Sequence, residues 1–135
     1  MGQRNIHGKL SITFENQILE TKVTGATNTE AAQAWLKEVQ DLVHSQNDGE
    51  IKPWVIFADN RHWDTSPTDA QQANSELVKW MSDNNCLLFA FLLSKKLQKF
   101  ALETQVNDTS IMQYFFDYDE AYQACLDKLA KAQSE

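Results

Sequence analysis

Hydrophobic and polar residues alternate at the start of the chain in the pattern of a β-hairpin. Leu10, Ile12 and Phe14 alternate with polar residues, which predicts a strand with one solvent-facing side. A polar turn leads into a second predicted strand over residues 18–24, which Gly25 closes. Because the connection is short, the two strands are expected to pair directly.

The pattern then changes to the period of an α-helix and back to that of a strand. Asn28 or Thr29 can cap a helix whose apolar residues recur at spacings of three and four. These residues are Ala32, Trp35, Leu36, Val39, Leu42 and Val43. After a polar loop, Pro53 can open a strand over residues 54–58. This strand is apolar throughout, so it is expected to be covered on both faces or to lie centrally in a sheet.

Helix and strand continue to alternate in the second half of the chain. Ser66 and Pro67 are expected to begin a helix that ends near Asn84, with Asp69 completing an acidic variant of the capping box. Residues 86–93 are all apolar, which predicts a strand buried on both faces.

A short basic helix and a last strand and helix complete the order. Ser94 is predicted to cap the basic helix, and residues 111–116 form the strand. The inward residues of the basic helix are predicted to be Leu97, Phe100 and Ala101, and its solvent-facing residues Lys95, Lys96 and Lys99. Asp117 begins the final helix in a second capping pattern with Glu120. Its apolar stripe is predicted at Ala121, Tyr122, Cys125, Leu126, Leu129 and Ala130.

The resulting order, β-β-α-β-α-β-α-β-α, predicts an α/β protein with a five-stranded mixed sheet and about four helices. Its later strands are expected to be mostly parallel, because each helix supplies a crossover connection. No linker is long enough to divide the chain, so residues 1–135 are expected to form a single domain.

The charge of the chain limits the classes of partner. Nineteen acidic and 12 basic residues give a net charge of −7, and the bases are not gathered in either half of the sequence. Such a chain repels phosphate backbones, so no nucleic-acid partner is expected. The longest apolar run, residues 86–93, is too short to span a bilayer, and the N-terminus lacks the apolar run of a secretory signal. We therefore expect no membrane insertion and a cytoplasmic protein.

The sequence also argues against a cofactor or metal. Cys86 and Cys125 lie in apolar settings without further partners, which favours buried free thiols. His7, His44 and His62 lack ligand spacing and are expected at the surface. No glycine-rich nucleotide motif occurs among the four glycines.

The candidate functional residues are concentrated directly after the third predicted strand. They are Asp59, Arg61, His62, Trp63, Asp64, Thr65 and Ser66. The helix N-terminus that follows would stabilise an anion, or a phosphoryl group on Thr65 or Ser66, although Ser before Pro is also ordinary helix capping. A hydrolase triad is not favoured, because there is no nucleophile elbow and Pro67 lacks the N–H that often serves an oxyanion hole. An exposed Trp63 would indicate a partner surface, and a buried one would seal the end of the sheet.

A second candidate is the lysine group of the short basic helix. Lys95, Lys96 and Lys99 could contact an anionic head group, although three lysines on one short helix are usually a solvated face.

Several segments together carry a resemblance to a known family. They are the opening hairpin with its Gly25 turn, the strand ending at Asp59, the apolar run 86–93, and residues 114–121, which read Tyr-Phe-Phe-Asp-Tyr-Asp-Glu-Ala. On these segments the chain resembles the STAS, or SpoIIAA-like, superfamily over roughly residues 8–130. It is most similar to the small single-domain bacterial members without an assigned activity. The resemblance implies the βα superhelical fold of that superfamily.

The resemblance also implies a function. The founding members are anti-sigma-factor antagonists, which carry Asp-Ser-Ser or Asp-Ser-Thr before Gly-Leu and are phosphorylated there by an anti-sigma kinase. The matching residues are Asp64-Thr65-Ser66, and Pro67-Thr68 stand in place of Gly-Leu. The expected function is a non-enzymatic regulatory domain that binds a protein partner, such as an anti-sigma-like kinase, with Ser66 or Thr65 as the phosphate acceptor.

Two further expectations follow. Related CRAL-TRIO, or Sec14-like, domains bind hydrophobic ligands, so a small-ligand or lipid carrier with an apolar pocket beneath the basic helix is the alternative. A homodimer is also predicted, because an acidic chain this rich in aromatic residues is expected to bury some of them between copies.

Overall fold

The computed structural model describes residues 9–25, 29–47, 49–64, 71–105 and 110–133. Its elements follow the predicted order. They are β1 (Lys9–Glu15), β2 (Ile18–Gly25), α1 (Thr29–Gln46), β3 (Trp54–Trp63), α2 (Gln71–Asp83), β4 (Cys86–Leu92), α3 (Lys96–Gln105), β5 (Met112–Phe115) and α4 (Tyr118–Gln133).

The five strands form one mixed sheet in the order β1-β2-β3-β4-β5. β1 and β2 are antiparallel, and the turn between them places Asn16 and Gln17 at φ values of 54° and 66°. Positive φ at both central residues is the geometry that matches the twist of a two-residue hairpin. The pairs β2–β3, β3–β4 and β4–β5 are parallel, because a helix connects each of them.

Helices cover the two faces of the sheet unequally. α1, α2 and α3 share one face with Trp54, Ile56 and Ala58 of β3, and α4 alone packs on the other face. Val55 and Phe57 alternate with those three residues and point to α4. The apolar residues 54–58 of β3 and the apolar strand β4 are therefore covered on both faces, which confirms the prediction made from their sequences.

β3 is longer than the sequence predicts. The expected strand ends at residue 58, whereas the observed one continues to Trp63. The reason is that β2 runs beside it, with Thr24 opposite His62 and Gly25 opposite Trp63, after a register shift between Lys22 and Thr24. Residues 59–63 thus form part of a paired strand, and the prediction that the strand ends before them is wrong.

α3 is rotated relative to the prediction. Leu97 and Phe100 were expected inside but are 60% and 63% exposed, whereas Gln98 and Leu102 are buried. The physical cause is the amide of Gln98, which finds hydrogen-bond partners only on the inner side, as described below. Ser94 does not cap this helix either, because its hydroxyl donates to the carbonyl of Arg61 at 2.7 Å.

α4 buries a narrower stripe than expected. Ala121, Cys125 and Leu129, spaced by four, are buried, while Leu126 and Ala130 are exposed. A single helix lying on a sheet buries only the line of residues nearest the strands, which explains the difference. The predicted start of α4 is confirmed, because the Asp117 carboxylate accepts the Glu120 N–H at 3.0 Å.

Some of the predicted features lie in segments that the structure does not describe. The expected caps at Asn28, Ser66 and Asp69, together with Pro67 and His7, lie outside the described residues. Among the described helices, none has the length and apolar character needed to cross a lipid bilayer.

Candidate functional site

The end of β3 carries a bidentate ion pair. The Nε and Nη2 atoms of Arg61 donate to the two carboxylate oxygens of Asp59 at 3.0 and 2.9 Å, and the Arg61 backbone N–H donates at 3.2 Å. Residues two apart on a strand share a face, so the extension of β3 beyond residue 58 is what brings them together. Asp59 is buried and Arg61 reaches solvent.

This pair determines the protonation state of Asp59. Burial alone would raise the pKa of the carboxyl, but the hydrogen bonds from the Arg61 side chain and backbone outweigh it, helped by the charges of Arg61 and Lys22. The pKa of Asp59 therefore lies below its ordinary value, and the group stays ionised at neutral pH. An anion held in this way stabilises the strand end and is a poor proton donor.

Arg61 also links β3 to the start of α4. Its guanidinium carbon lies 5.9 Å from the ring centroid of Tyr118, which in turn lies 5.1 Å from the ring of Phe57. A guanidinium over a tyrosine ring is attracted by the negative face of the ring. The sequence pattern places Tyr118 after the last strand but gives no sign of this contact.

The side chain of Gln98 connects the end of β3 to the start of α3. It is 1% exposed, and its Oε1 accepts the N–H groups of Ser94 and Lys95 at 2.8 and 3.1 Å. Its Nε2 donates to the carbonyls of Asn60 and Trp63 at 2.9 and 3.0 Å. We call this set of contacts the Gln98 clamp.

One half of the Gln98 clamp follows a known helix-capping pattern in the sequence. Gln98 is the third residue of α3, and glutamine at that position commonly accepts the backbone N–H of the residue before the helix, here Lys95. The same amide's bonds to Asn60 and Trp63 join residues 38 and 35 positions away in the chain, so no local pattern could reveal them.

The structure divides the predicted site residues into four groups. Asp59 and Arg61 are paired, and His62 and Asp64 are exposed at the end of β3. Trp63 is only 7% exposed, so it closes the end of the sheet. Thr65 and Ser66 lie outside the described residues. Within the described ranges, no group of three or more His, Cys, Asp or Glu residues is placed to hold a metal ion.

A basic and apolar surface lies on α3, next to the Gln98 clamp. Its members are Lys95, Lys96, Leu97, Lys99 and Phe100, and all of them are exposed. We call it the α3 patch. Lys99 is 5.5 Å from the ring centroid of Tyr114. The sequence predicted the exposed lysines but placed Leu97 and Phe100 on the inner face of the helix.

The residues beneath α3 are relevant to the alternative hypothesis, a small-ligand or lipid carrier with an apolar pocket below this helix. Leu102 is part of the larger hydrophobic core, and the Gln98 amide beside it is fully engaged in hydrogen bonds to the backbone. Packed side chains of this kind do not favour an apolar ligand pocket beneath the helix.

Comparison with known proteins identifies solved structures that are similar to this fold. No protein-family model matches the sequence, and a search of curated proteins finds no relative. An uncharacterised protein of the DUF3478 family with a SpoIIAA-like fold, from Shewanella loihica, superposes with a TM-score of 0.62 at 16% identity, covering 92% of this chain and 99% of that one. The chain has a SpoIIAA-like fold. A second similar structure is that of an anti-sigma factor antagonist from Mycobacterium paratuberculosis, with a TM-score of 0.61 at 10% identity, covering 90% of this chain and 96% of that one.

Several polar side chains around the end of β3 are held in place by hydrogen bonds. Asp59 is committed to Arg61, the Ser94 hydroxyl to a backbone carbonyl, and the Gln98 amide to backbone groups at the end of β3 and before α3. These groups fix the positions of the chain segments around them. His62 and Asp64 are exposed at this hydrogen-bonded end of β3.

Proposed function

We propose that this protein is a non-enzymatic regulatory domain of the STAS type that binds a protein partner in the cytoplasm through the end of β3 and the adjoining segment to Ser66. The observation that carries the proposal is the fixed β3 end, where exposed Arg61 and His62 are held by the Asp59 ion pair and the Gln98 clamp. A surface that is rigid before binding loses little conformational entropy when a partner docks.

The partner in this proposal is an anti-sigma-like kinase or another regulator of that kind. The similarity to an anti-sigma factor antagonist supports this choice. Thr65 or Ser66 is the proposed phosphate acceptor, because these hydroxyls follow directly after the fixed strand end and Asp64. A phosphoryl group there would add negative charge to the proposed binding surface and so change the affinity.

The experiment combines purified serine kinases of the anti-sigma class with this protein and ATP. We expect stable binding to at least one kinase, and a gain of one phosphoryl group in intact mass that a Thr65→Ala, Ser66→Ala variant abolishes. His62→Glu is expected to weaken binding by about tenfold or more, equal to about 1.4 kcal/mol.

Lys52→Glu serves as the matched control, because Lys52 is exposed in the loop before β3, at the opposite end of the sheet. Its affinity is expected to equal that of the wild type. If no kinase binds or labels the protein, or if Lys52→Glu and His62→Glu weaken binding equally, the proposed function is wrong.

A further inference from the structure

The α3 patch is unusual for so acidic a protein. No acidic residue occurs between Asp83 and Glu103, and three lysines fall within this stretch. Leu97 and Phe100 lie among them with more than half of each side chain exposed. An exposed apolar pair surrounded by charge of one sign is typical of an interaction surface.

A surface of opposite charge lies on α4. Asp119, Glu120, Gln123, Ala124 and Asp127 line a shallow depression, which we call the α4 stripe. Its charged and polar members are exposed on the side of the helix opposite the buried residues Ala121, Cys125 and Leu129, whereas Ala124 packs partly against the core. The exposed Leu126 adds an apolar side chain next to Asp127.

We propose that the α3 patch of one copy of this protein docks on the α4 stripe of a second copy. The two surfaces are complementary in charge, the α3 patch exposes Leu97 and Phe100, and the exposed Leu126 lies next to the α4 stripe. They cannot meet within one molecule, because α3 and α4 lie on opposite faces of the sheet. The contact is therefore heterologous, joining different surfaces of the two copies.

The net charge of −7 makes this contact selective. Two acidic copies repel each other in most orientations, and repulsion between distant charges is screened beyond about 8 Å at physiological salt. The α3 patch, with three exposed lysines in five residues, offers a concentrated positive surface to an acidic one. Association should accordingly weaken as salt rises, since the attraction between the exposed surfaces is also screened.

An anionic membrane is the competing occupant of the α3 patch. Basic clusters that bind acidic lipids commonly contain about four to eight lysines or arginines, and the patch has fewer. A membrane is also an extended surface, which would bring the other acidic residues of the protein close to it. These two observations favour a second copy of the chain.

The experiment measures the mass of the full chain by sedimentation over a wide range of concentrations, at low and at high salt. The wild type is expected to exceed the monomer mass increasingly with concentration at low salt and to do so less at high salt. A Lys95→Glu, Lys96→Glu variant is expected to associate at least about tenfold more weakly, and an Asp119→Lys, Asp127→Lys variant likewise. Acidic residues at the start of a helix are compatible with its dipole, so the first variant keeps its fold.

Mixing the two variants provides the decisive measurement. Each variant has two surfaces of like charge and repels itself, but together they present opposite charges, so an equimolar mixture is expected to associate. A Lys37→Glu, Lys79→Glu variant is the control, because it makes the same change in net charge on α1 and α2. It is expected to associate at least about tenfold more tightly than the Lys95→Glu, Lys96→Glu variant. Thermal melts of every variant establish that each is folded.

Three outcomes would overturn the proposal. The first is a wild type that stays monomeric at low salt at every concentration. The second is a mixture of the two charge-reversed variants that remains monomeric although both are folded. The third is a wild type that does not self-associate but binds vesicles of phosphatidylcholine and phosphatidylglycerol through the same lysines, which would assign the patch to a membrane. None of these results depends on whether a kinase binds the end of β3.

Discussion

A single amide side chain, that of Gln98, holds together two segments that are more than 30 residues apart in the sequence. It satisfies two N–H groups at the start of α3 and two carbonyl groups at the end of β3. Glutamine is suited to this role, because one end of its amide accepts hydrogen bonds and the other donates them. Removing the amide would leave several buried backbone groups without partners.

Substitution of Gln98 tests this account. We expect Gln98→Ala to lower the free energy of unfolding by about 2–4 kcal/mol, because each buried polar group left unpaired costs about 1–3 kcal/mol and solvent can reach some of them. Urea denaturation monitored by circular dichroism gives the value. Gln123→Ala is the matched control: Gln123 is exposed with one bond to Asp127, and a change within about 0.5 kcal/mol is expected. Equal effects of the two substitutions would contradict the role of the clamp.

At the scale of single elements, α3 is oriented by polar contacts more than by its apolar residues. Its outward face carries Leu97 and Phe100, and its inward face carries Gln98 and Leu102. The hydrogen bonds of Gln98 and the burial of Leu102 fix one rotation of the helix about its axis. Turning Leu97 and Phe100 inward would bring Gln98 out of reach of the β3 carbonyls.

This rotation predicts unequal effects of substitutions along α3. Leu97→Ser and Phe100→Ser are each expected to change the free energy of unfolding by no more than about 0.5 kcal/mol, because both side chains are exposed. Leu102→Ala is expected to lower it by about 2–5 kcal/mol, because it leaves a cavity in the core. Urea titrations of the three variants measure these values. A large loss for Phe100→Ser with a small one for Leu102→Ala would instead support the rotation predicted from the sequence.

The elements show which features the sequence could predict. The order of strands and helices follows from local periodicity, and the apolar runs of β3 and β4 correctly indicate strands covered on both faces. The extension of β3 through Arg61 to Trp63 could not be predicted, because it depends on pairing with β2 and not on its own polar sequence. The rotation of α3 about its axis could not be predicted for a similar reason, because the hydrogen bonds of Gln98 that fix it reach residues more than 30 positions away in the sequence.

At the scale of the whole molecule, the sheet separates two hydrophobic cores, and each contains one free thiol. Cys86 belongs to the core under α1, α2 and α3, and Cys125 to the core under α4. Burial raises the pKa of each thiol to about 12, although hydrogen bonds to the backbone act against it at Cys86. Both groups are therefore protonated at pH 8, and a thiol must be ionised to act as a nucleophile.

The two thiols can report separately on the opening of the two layers. In the native protein at pH 8, we expect Ellman's reagent to react with each on the order of a thousandfold more slowly than with a free cysteine, from the lower thiolate fraction alone. Both should react rapidly in urea. Cys86→Ala and Cys125→Ala variants, each with one remaining thiol, assign the rates. Fast reaction of either thiol in the folded protein would show that its layer is open to solvent.

The rotation of α3 also has an evolutionary meaning. The residues that determine where this helix lies, Gln98 and Leu102, differ from those on its exposed side, Lys96, Leu97 and Phe100 among them. Substitutions in the second set leave the core and the clamp intact. Descendants of this protein can therefore change the charge and polarity of the exposed side of α3 without first acquiring a compensating mutation elsewhere in the fold.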